Sequence, residues 1–235
     1  MTQNLLKHAI QKIDWKSNID SFFTHDSIVT NIEQANMRIA VWSKQIENID
    51  KGNPALSFIR EMQSAGHQIA LLITLSLYKP AASLMRTAFE TALYYTYFRT
   101  HPTELASLVR NPKYYITKSD LLEYHKTHTP DFTTSSQAFN LTKTINSWYH
   151  DISSIIHGQI PGRWTQRHSL SDLSIDEALL KEAADNFLLC EKIIHQLFLC
   201  TIGKSNWNDL SIDSKRRLSS GLPSKTKVAL GISKA

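Results

Sequence analysis

Leu84-Met85-Arg86-Thr87-Ala88-Phe89-Glu90-Thr91-Ala92-Leu93-Tyr94-Tyr95-Thr96-Tyr97-Phe98 decides the fold. Its apolar residues fall on nearly every side of a helix of 3.6 residues per turn, the pattern of a central helix covered by several neighbours. The only charges within it, Arg86 and Glu90, are four residues apart and so share one face. Unpaired burial of charge is costly, so this pair must meet a partner or a solvent-filled cleft.

Working outward, the chain reads as further helices. Asn4 to Ile13 is a short amphipathic segment. Asp26 to Ile49 is a long one, with Ile28, Ile32, Ala35, Ile39, Trp42 and Ile46 at helical spacing, and Lys51-Gly-Asn-Pro54 ends it. An apolar stretch from Ala55 to about Leu77 follows, Lys79-Pro80 breaks it, and the central helix runs from near Ala81 to Arg99 before His101-Pro102. Between Pro102 and Thr142, Pro, Ser and Thr predict short helices and loops. A helix from Leu141 to His157 is closed by Gly158. Ser174-Ile-Asp-Glu177 has capping-box form for a last long helix to Ile202, with Ala178, Ala183, Phe187, Ile194 and Phe198 facing inward. Alternating strand-like runs are few, so the expected class is all-α: one bundle of long antiparallel helices over residues 1–202, with a basic C-terminal extension, 203–235.

The 235 residues carry a net charge of +5. Lys204, Lys215, Arg216, Arg217, Lys225, Lys227 and Lys234 against Asp209 and Asp213 place the whole excess in the extension. A polyanion docks naturally on such a tail, and a solvated, partly disordered end is the plainer reading. Met1 to Lys16 lacks a continuous apolar region, and Ile69 to Tyr78 falls far short of the roughly 20 residues of a membrane span. A soluble, cytoplasmic protein is expected. Cys190 and Cys200, about 15 Å apart along one helix, lie beyond disulfide reach and read as buried thiols.

The second informative stretch is Tyr149-His-Asp-Ile-Ser153-Ser-Ile-Ile-His157-Gly158, in which Tyr149, Ser153 and His157 recur every fourth residue. With Arg86-x-x-x-Glu90 some sixty residues before it, the chain resembles a group of uncharacterised bacterial helical proteins with an Arg-x-x-x-Glu helix and a Tyr-x-x-x-Ser-x-x-x-His helix end. These look like relatives of the HEPN superfamily of abortive-infection, toxin and phage-defence proteins. The resemblance covers roughly residues 55 to 200. It implies a HEPN-like bundle that often dimerises, a polar cluster near its interface, and partners such as RNA or another protein of a defence or toxin system. Many HEPN members are metal-independent ribonucleases with an Arg-x(4 to 6)-His motif. The literal matches here are Arg60-x6-His67 and Arg163-x4-His168, when about one is expected by chance; positions 150 to 152, ahead of His157, are His, Asp and Ile.

Two uses of the cluster follow. In the architectural one, Arg86 pairs with Glu90 and with the 141–157 helix, while Ser153 and His157 satisfy what is left. In the chemical one, Arg86 holds a phosphate with its planar fork, His157 transfers a proton, Glu90 orients them, and His150 is a second histidine for cleavage of RNA. The candidate catalytic residues are therefore Arg86, Glu90, Ser153, His157 and His150. The candidate nucleic-acid contacts are Arg163, Arg167, His168, Lys215, Arg216 and Arg217. A non-catalytic module that binds a partner protein or a nucleotide signal is the alternative function. His125-x-x-His128 with Asp131 is a weak metal pattern without a second pair. Phosphate-loop, nucleophile-elbow and dinucleotide motifs are absent, so no cofactor is expected. Tyr94, Tyr95, Tyr97 and Phe98 serve either to stack bases or to fill the core.

Overall fold

The computed structural model describes residues 4–164 and 169–232, and among these there is no strand. The helices are α1 (Leu5–Gln11), α2 (Trp15–Phe22), α3 (Asp26–Ile49), α4 (Leu56–Thr74), α5 (Tyr78–Phe98), α6 (Pro102–Arg110), α7 (Lys118–His128), α8 (Phe132–Phe139), α9 (Leu141–Ile156) and α10 (Glu177–Phe198). A π turn, Leu199–Gly203, prolongs α10 into the single turn α11 (Lys204–Asn206), and α12 (Ile212–Ser219) and α13 (Ser224–Ala229) follow. The all-α class is as the sequence predicts. Among the described residues, no helix is long and apolar enough to cross a membrane.

The centre is α5, packed against α4, α9 and α10, with α3 closing the bundle against α4 and α10. Its buried residues include Met85, Phe89, Leu93, Tyr95 and Phe98, spread around the helix as the sequence pattern requires. Tyr95 and Phe98 are therefore core filling, not a base-stacking platform. The α3 stripe from Ile32 to Ile46 is buried as predicted, and Trp42 at its middle lies edge-on to Phe198. Gly66 of α4 packs tightly against α3: a Cβ there would stand 2.9 Å from Asn36 Oδ1 and 3.2 Å from Ile39 Cδ1. Gly66→Leu is expected to lose about 2 kcal/mol by overpacking, read from urea melts. Gly66→Ala should be near neutral, because its gain in helix propensity, about 1 kcal/mol, offsets the displacement of two side-chain ends.

Four local expectations are corrected. Helix α5 starts at Tyr78, so Pro80 sits in its first turn, where a missing N–H costs nothing. The last long helix is capped by Asp176, whose carboxylate accepts from the Leu179 N–H at 3.0 Å, so Ser174 is not its cap. Ala178 faces solvent. Helix α2, capped by Asp14, has no counterpart in the expected elements.

The C-terminal segment is not a solvated end. Leu210, Leu218, Leu230 and Ile232 are buried in the same core as the bundle, α12 lies on α3, and α13 lies on α8. The side chain of Gln45 accepts from the Ser211 N–H at 3.1 Å, and Lys204 reaches Asp131 at 2.5 Å. Position 202 falls inside the π turn that continues α10, with no break in the chain's helical course there. Sparse leucines spaced among lysines and arginines carry this docking, a signal that charge counting overlooks.

Candidate functional site

The end of α9 is built to hold His157 at the surface. Gly158 adopts φ +65°, a left-handed conformation that glycine takes without penalty. Its N–H bonds to the Ile155 carbonyl at 3.2 Å, and the Gln159 N–H bonds to the Ser154 carbonyl at 3.0 Å. These paired bonds are the Schellman closure of a helix. They fix His157 as the exposed C-cap residue that follows α9.

Opposite it, α5 presents Arg86. Nε of Arg86 donates to Glu90 Oε1 at 2.8 Å, and Nη1 lies 3.3 Å from His157 Nε2. A guanidinium only donates, so the imidazole nitrogen facing it is the acceptor. Tyr149, two turns before His157, donates its hydroxyl to the same Glu90 oxygen at 2.5 Å, and the Arg86 guanidinium lies 4.8 Å over its ring. Burial, aided by Glu90, pushes the Tyr149 phenol up to about 12, so it remains a donor across the working pH range. Arg86 and Glu90 keep 28% and 31% of their side-chain exposure, which leaves the cluster open on one side.

Two further cations complete it. Lys118, at the start of α7, lies 4.9 Å from the Tyr149 ring and bonds to Asn146 at 2.5 Å. Its partial burial lowers its pKa. Lys79 brings Nζ within 3.6 Å of where a Cβ on Gly158 would stand. Arg86 pairs with Glu90 and meets His157, while Lys118 lies at the Tyr149 ring and Lys79 at Gly158. Lys79 is seven residues before Arg86, two turns along the same face, so helical spacing could have found it. Lys118 comes from the irregular region, where no spacing rule applies. Tyr149 belongs to the motif, and its hydroxyl is a direct partner of Glu90, a contact that helical spacing alone does not reveal.

The remaining candidates fall elsewhere. Ser153 shares the Tyr149–His157 stripe, but its hydroxyl is buried without a hydrogen-bond partner among the described residues. His150 is exposed beside Lys143, Asp151 and Asn186 in a depression between α9 and α10, away from Arg86. Arg163 is held by Asp151 at 2.7 Å and by Glu182 at 3.0 Å, so its charge is already matched. Arg167 and His168 lie outside the described residues. In the other literal motif, Arg60 makes a bidentate pair with Glu47 at 2.7 and 3.0 Å, while His67 lines an apolar groove.

Arg216 and Arg217 border a surface depression with Arg38, Gln34 and Ser220. Lys215 spends its ammonium on the Asn208 carbonyl at 3.2 Å. His125 is buried with both ring nitrogens engaged, by Thr96 at 2.7 Å and Thr129 at 2.8 Å, which leaves no lone pair for a metal. Among the described residues no group of histidine, cysteine and carboxylate side chains is arranged to hold a metal ion. Cys190 and Cys200 are buried free thiols, and burial raises both, Cys200 to about 12. Neither has the thiolate character of a nucleophile.

Comparison with protein-family models, with curated proteins and with solved structures finds no match to this chain.

Proposed function

We propose that the chain is a HEPN-like, cytoplasmic RNA-directed protein of bacterial defence or toxin type, with a metal-independent ribonuclease site formed by Arg86, Glu90, Tyr149 and His157. One observation carries the reading: a guanidinium and an exposed imidazole from different helices meet at 3.3 Å. A planar fork beside a histidine is the pairing that phosphodiester chemistry needs, one to neutralise phosphate and one to move a proton. Lys79 and Lys118 add positive potential at the same mouth, which draws a polyanion to it.

In this reading Arg86 turns from His157 to a phosphate oxygen, with Glu90 and Tyr149 keeping its Nε side fixed. The freed Nε2 of His157 takes the proton of a ribose 2′-hydroxyl. The 2′-oxygen bonds to phosphorus, the bond to the 5′-oxygen breaks, and the leaving oxygen takes a proton from water, giving a 2′,3′-cyclic phosphate and a 5′-hydroxyl end. The basic surface around Arg216 and Arg217 supplies sequence-independent backbone contacts.

His157→Ala tests the assignment on single-stranded and structured RNA in the presence of a chelator. Loss of a positioned proton carrier is expected to slow cleavage about 100-fold, with the circular-dichroism spectrum unchanged. An unchanged rate in the variant, or no cleavage by wild type on any RNA, rejects the enzymatic function. The satisfied Arg86–Glu90–Tyr149 network favours the second reading in that event, a non-catalytic module for a partner protein or nucleotide signal.

A further inference from the structure

The docking of α12 on α3 gathers positive charge that the chain only partly neutralises. Leu218 of α12 is fully buried, and the Ser211 N–H that opens this helix is tied to Gln45 of α3, so both walls of the cleft between the two helices are fixed. Arg216 and Arg217, in the last turn of α12, border with Arg38 of α3 a depression of about 440 Å³. No carboxylate lines it. Arg38 gives Nε and Nη2 to Glu191, which locks the plane of its guanidinium and leaves Nη1 without a hydrogen-bond partner among the described residues. Arg217 has no ion pair among the described residues, and Arg216 has only Asp213 at 3.9 Å, a carboxylate that is 89% exposed.

We infer that this depression binds a phosphate monoester, with the phosphate seated among Arg38, Arg216 and Arg217 and the organic group lying on Met37 and Val41. Three guanidiniums and one paired carboxylate, Glu191, leave two positive charges at the site. That matches a phosphate monoester, about −1.5 to −2 at pH 7, better than the single charge of a backbone phosphodiester. Like charges gathered at one depression repel, and an anion that accepts hydrogen bonds from all three relieves the repulsion. The phosphate fills only part of the space, whose volume is within the roughly 300–1,000 Å³ of small-ligand sites. Met37 and Val41, one turn apart on α3, supply an apolar wall for the remainder, and Gln34 and Ser220 add uncharged hydrogen-bonding groups. The site shares no residue with the Arg86–His157 cluster, and the inference does not depend on the function proposed for that cluster. It adds to the backbone contacts of Arg216 and Arg217 a discrete, saturable site that the third guanidinium, Arg38, defines. Two sources carry the recognised group: a free phosphorylated small molecule and the 5′-phosphate end of an RNA.

Isothermal titration calorimetry at constant ionic strength tests it, with AMP, the 5′-methyl ester of AMP and adenosine as probes. AMP is expected to saturate one site per chain, about tenfold tighter than its methyl ester, whose phosphate carries one charge. Adenosine should not bind. Arg216→Gln with Arg217→Gln should weaken AMP binding by about tenfold or more with the circular-dichroism spectrum unchanged, whereas Lys225→Gln with Lys227→Gln, the same loss of charge on α13, should leave it intact. Met37→Glu places a carboxylate in the depression without touching the arginines and should abolish binding. Two 2′-O-methylated oligonucleotides, uncleavable at the 2′-oxygen and differing only in a 5′-phosphate or 5′-hydroxyl, identify the source. Tighter binding of the phosphorylated one assigns the RNA end; equal binding of the two, with AMP bound, assigns the small molecule. Absence of AMP binding together with no preference for the 5′-phosphate overturns the inference. So does binding that survives the double glutamine substitution, or a methyl ester that binds as tightly as AMP.

Discussion

Arg38→Met is expected to cost about 3–5 kcal/mol of folding stability at pH 7, because it strands a carboxylate in the core. Arg38 and Glu191 form a two-bond fork between α3 and α10, with Nε donating to Oε1 at 2.5 Å and Nη2 donating to Oε2. Glu191 is 2% exposed, whereas the Arg38 side chain keeps a third of its surface. Burial raises Glu191 above the usual carboxyl range, and Arg38 opposes that shift without cancelling it. Removing Arg38 deletes the opposing partner, so Glu191 must be buried as an unpaired anion or take up a proton. A carboxyl whose folded-state pKa is raised favours the fold below its ordinary pKa and penalises it as pH rises, so the variant's loss should grow from pH 4 to pH 7. The double variant Arg38→Met, Glu191→Leu should return to within about 1 kcal/mol of wild type, since an apolar pair of similar size needs no desolvated charge. Guanidinium melts of wild type, the single variant and the double variant at pH 4.5 and 7 measure this. A single variant as stable as wild type at pH 7 would show that water reaches Glu191.

The same pair marks the limit of what the sequence discloses. The α3 stripe and the central helix are legible because apolar residues recur at one helical period, and period is a local property. The Arg86–Glu90 and Tyr149–His157 stripes are legible for the same reason, and the structure brings them together at 3.3 Å. Arg38 and Glu191 are 153 residues apart, and nothing in either neighbourhood distinguishes them from ordinary surface charges. Lys118 reaches the cluster only because α7 packs on α5, a tertiary placement with no sequence period behind it. His150 illustrates the converse error. Ideal helical geometry puts it about 20° from His157, but it sits two turns back from the helix end, where α10 rather than Arg86 is the neighbour, and it lines the depression with Asn186 and Leu189. The C-terminal segment misled for an energetic reason. Its charge is dense, but the few leucines between the charges meet a preformed apolar surface, and burying each contributes about 2 kcal/mol, enough to order short helices that would not form alone.

Two buried histidines should make the protein acid-sensitive well above the carboxylate range. The ring of His125 lies between two threonines, and the hydroxyl of Thr96 already donates to the Leu93 carbonyl at 2.7 Å. Nε2 of His125 is therefore the donor to Thr96, and Nδ1 accepts from Thr129. His195 accepts from Trp42 Nε1 at 3.0 Å through Nδ1, so its proton is on Nε2, which has no partner among the described residues. Protonating His195 would set a new N–H against the indole N–H and add charge to the core. Burial, helped by His101, lowers His125 to about 4; burial, helped by Arg38, lowers His195 to about 3. A histidine whose folded-state pKa is depressed stabilises the fold fully above its ordinary value near 6.5, and that stability is lost as pH falls through the window below it, because the unfolded chain takes up the proton first. Between pH 7 and pH 5 the loss is about 2 kcal/mol for each histidine, or about 4 kcal/mol together. Urea melts at half-unit intervals should show this slope, with His125→Gln and His195→Gln each flattening about half of it, since glutamine keeps an acceptor and a donor but takes no proton. Stability that stays level from pH 7 to pH 5 would mean both rings protonate freely in the folded protein, and the core assigned to α3, α5, α7 and α10 would have to admit water.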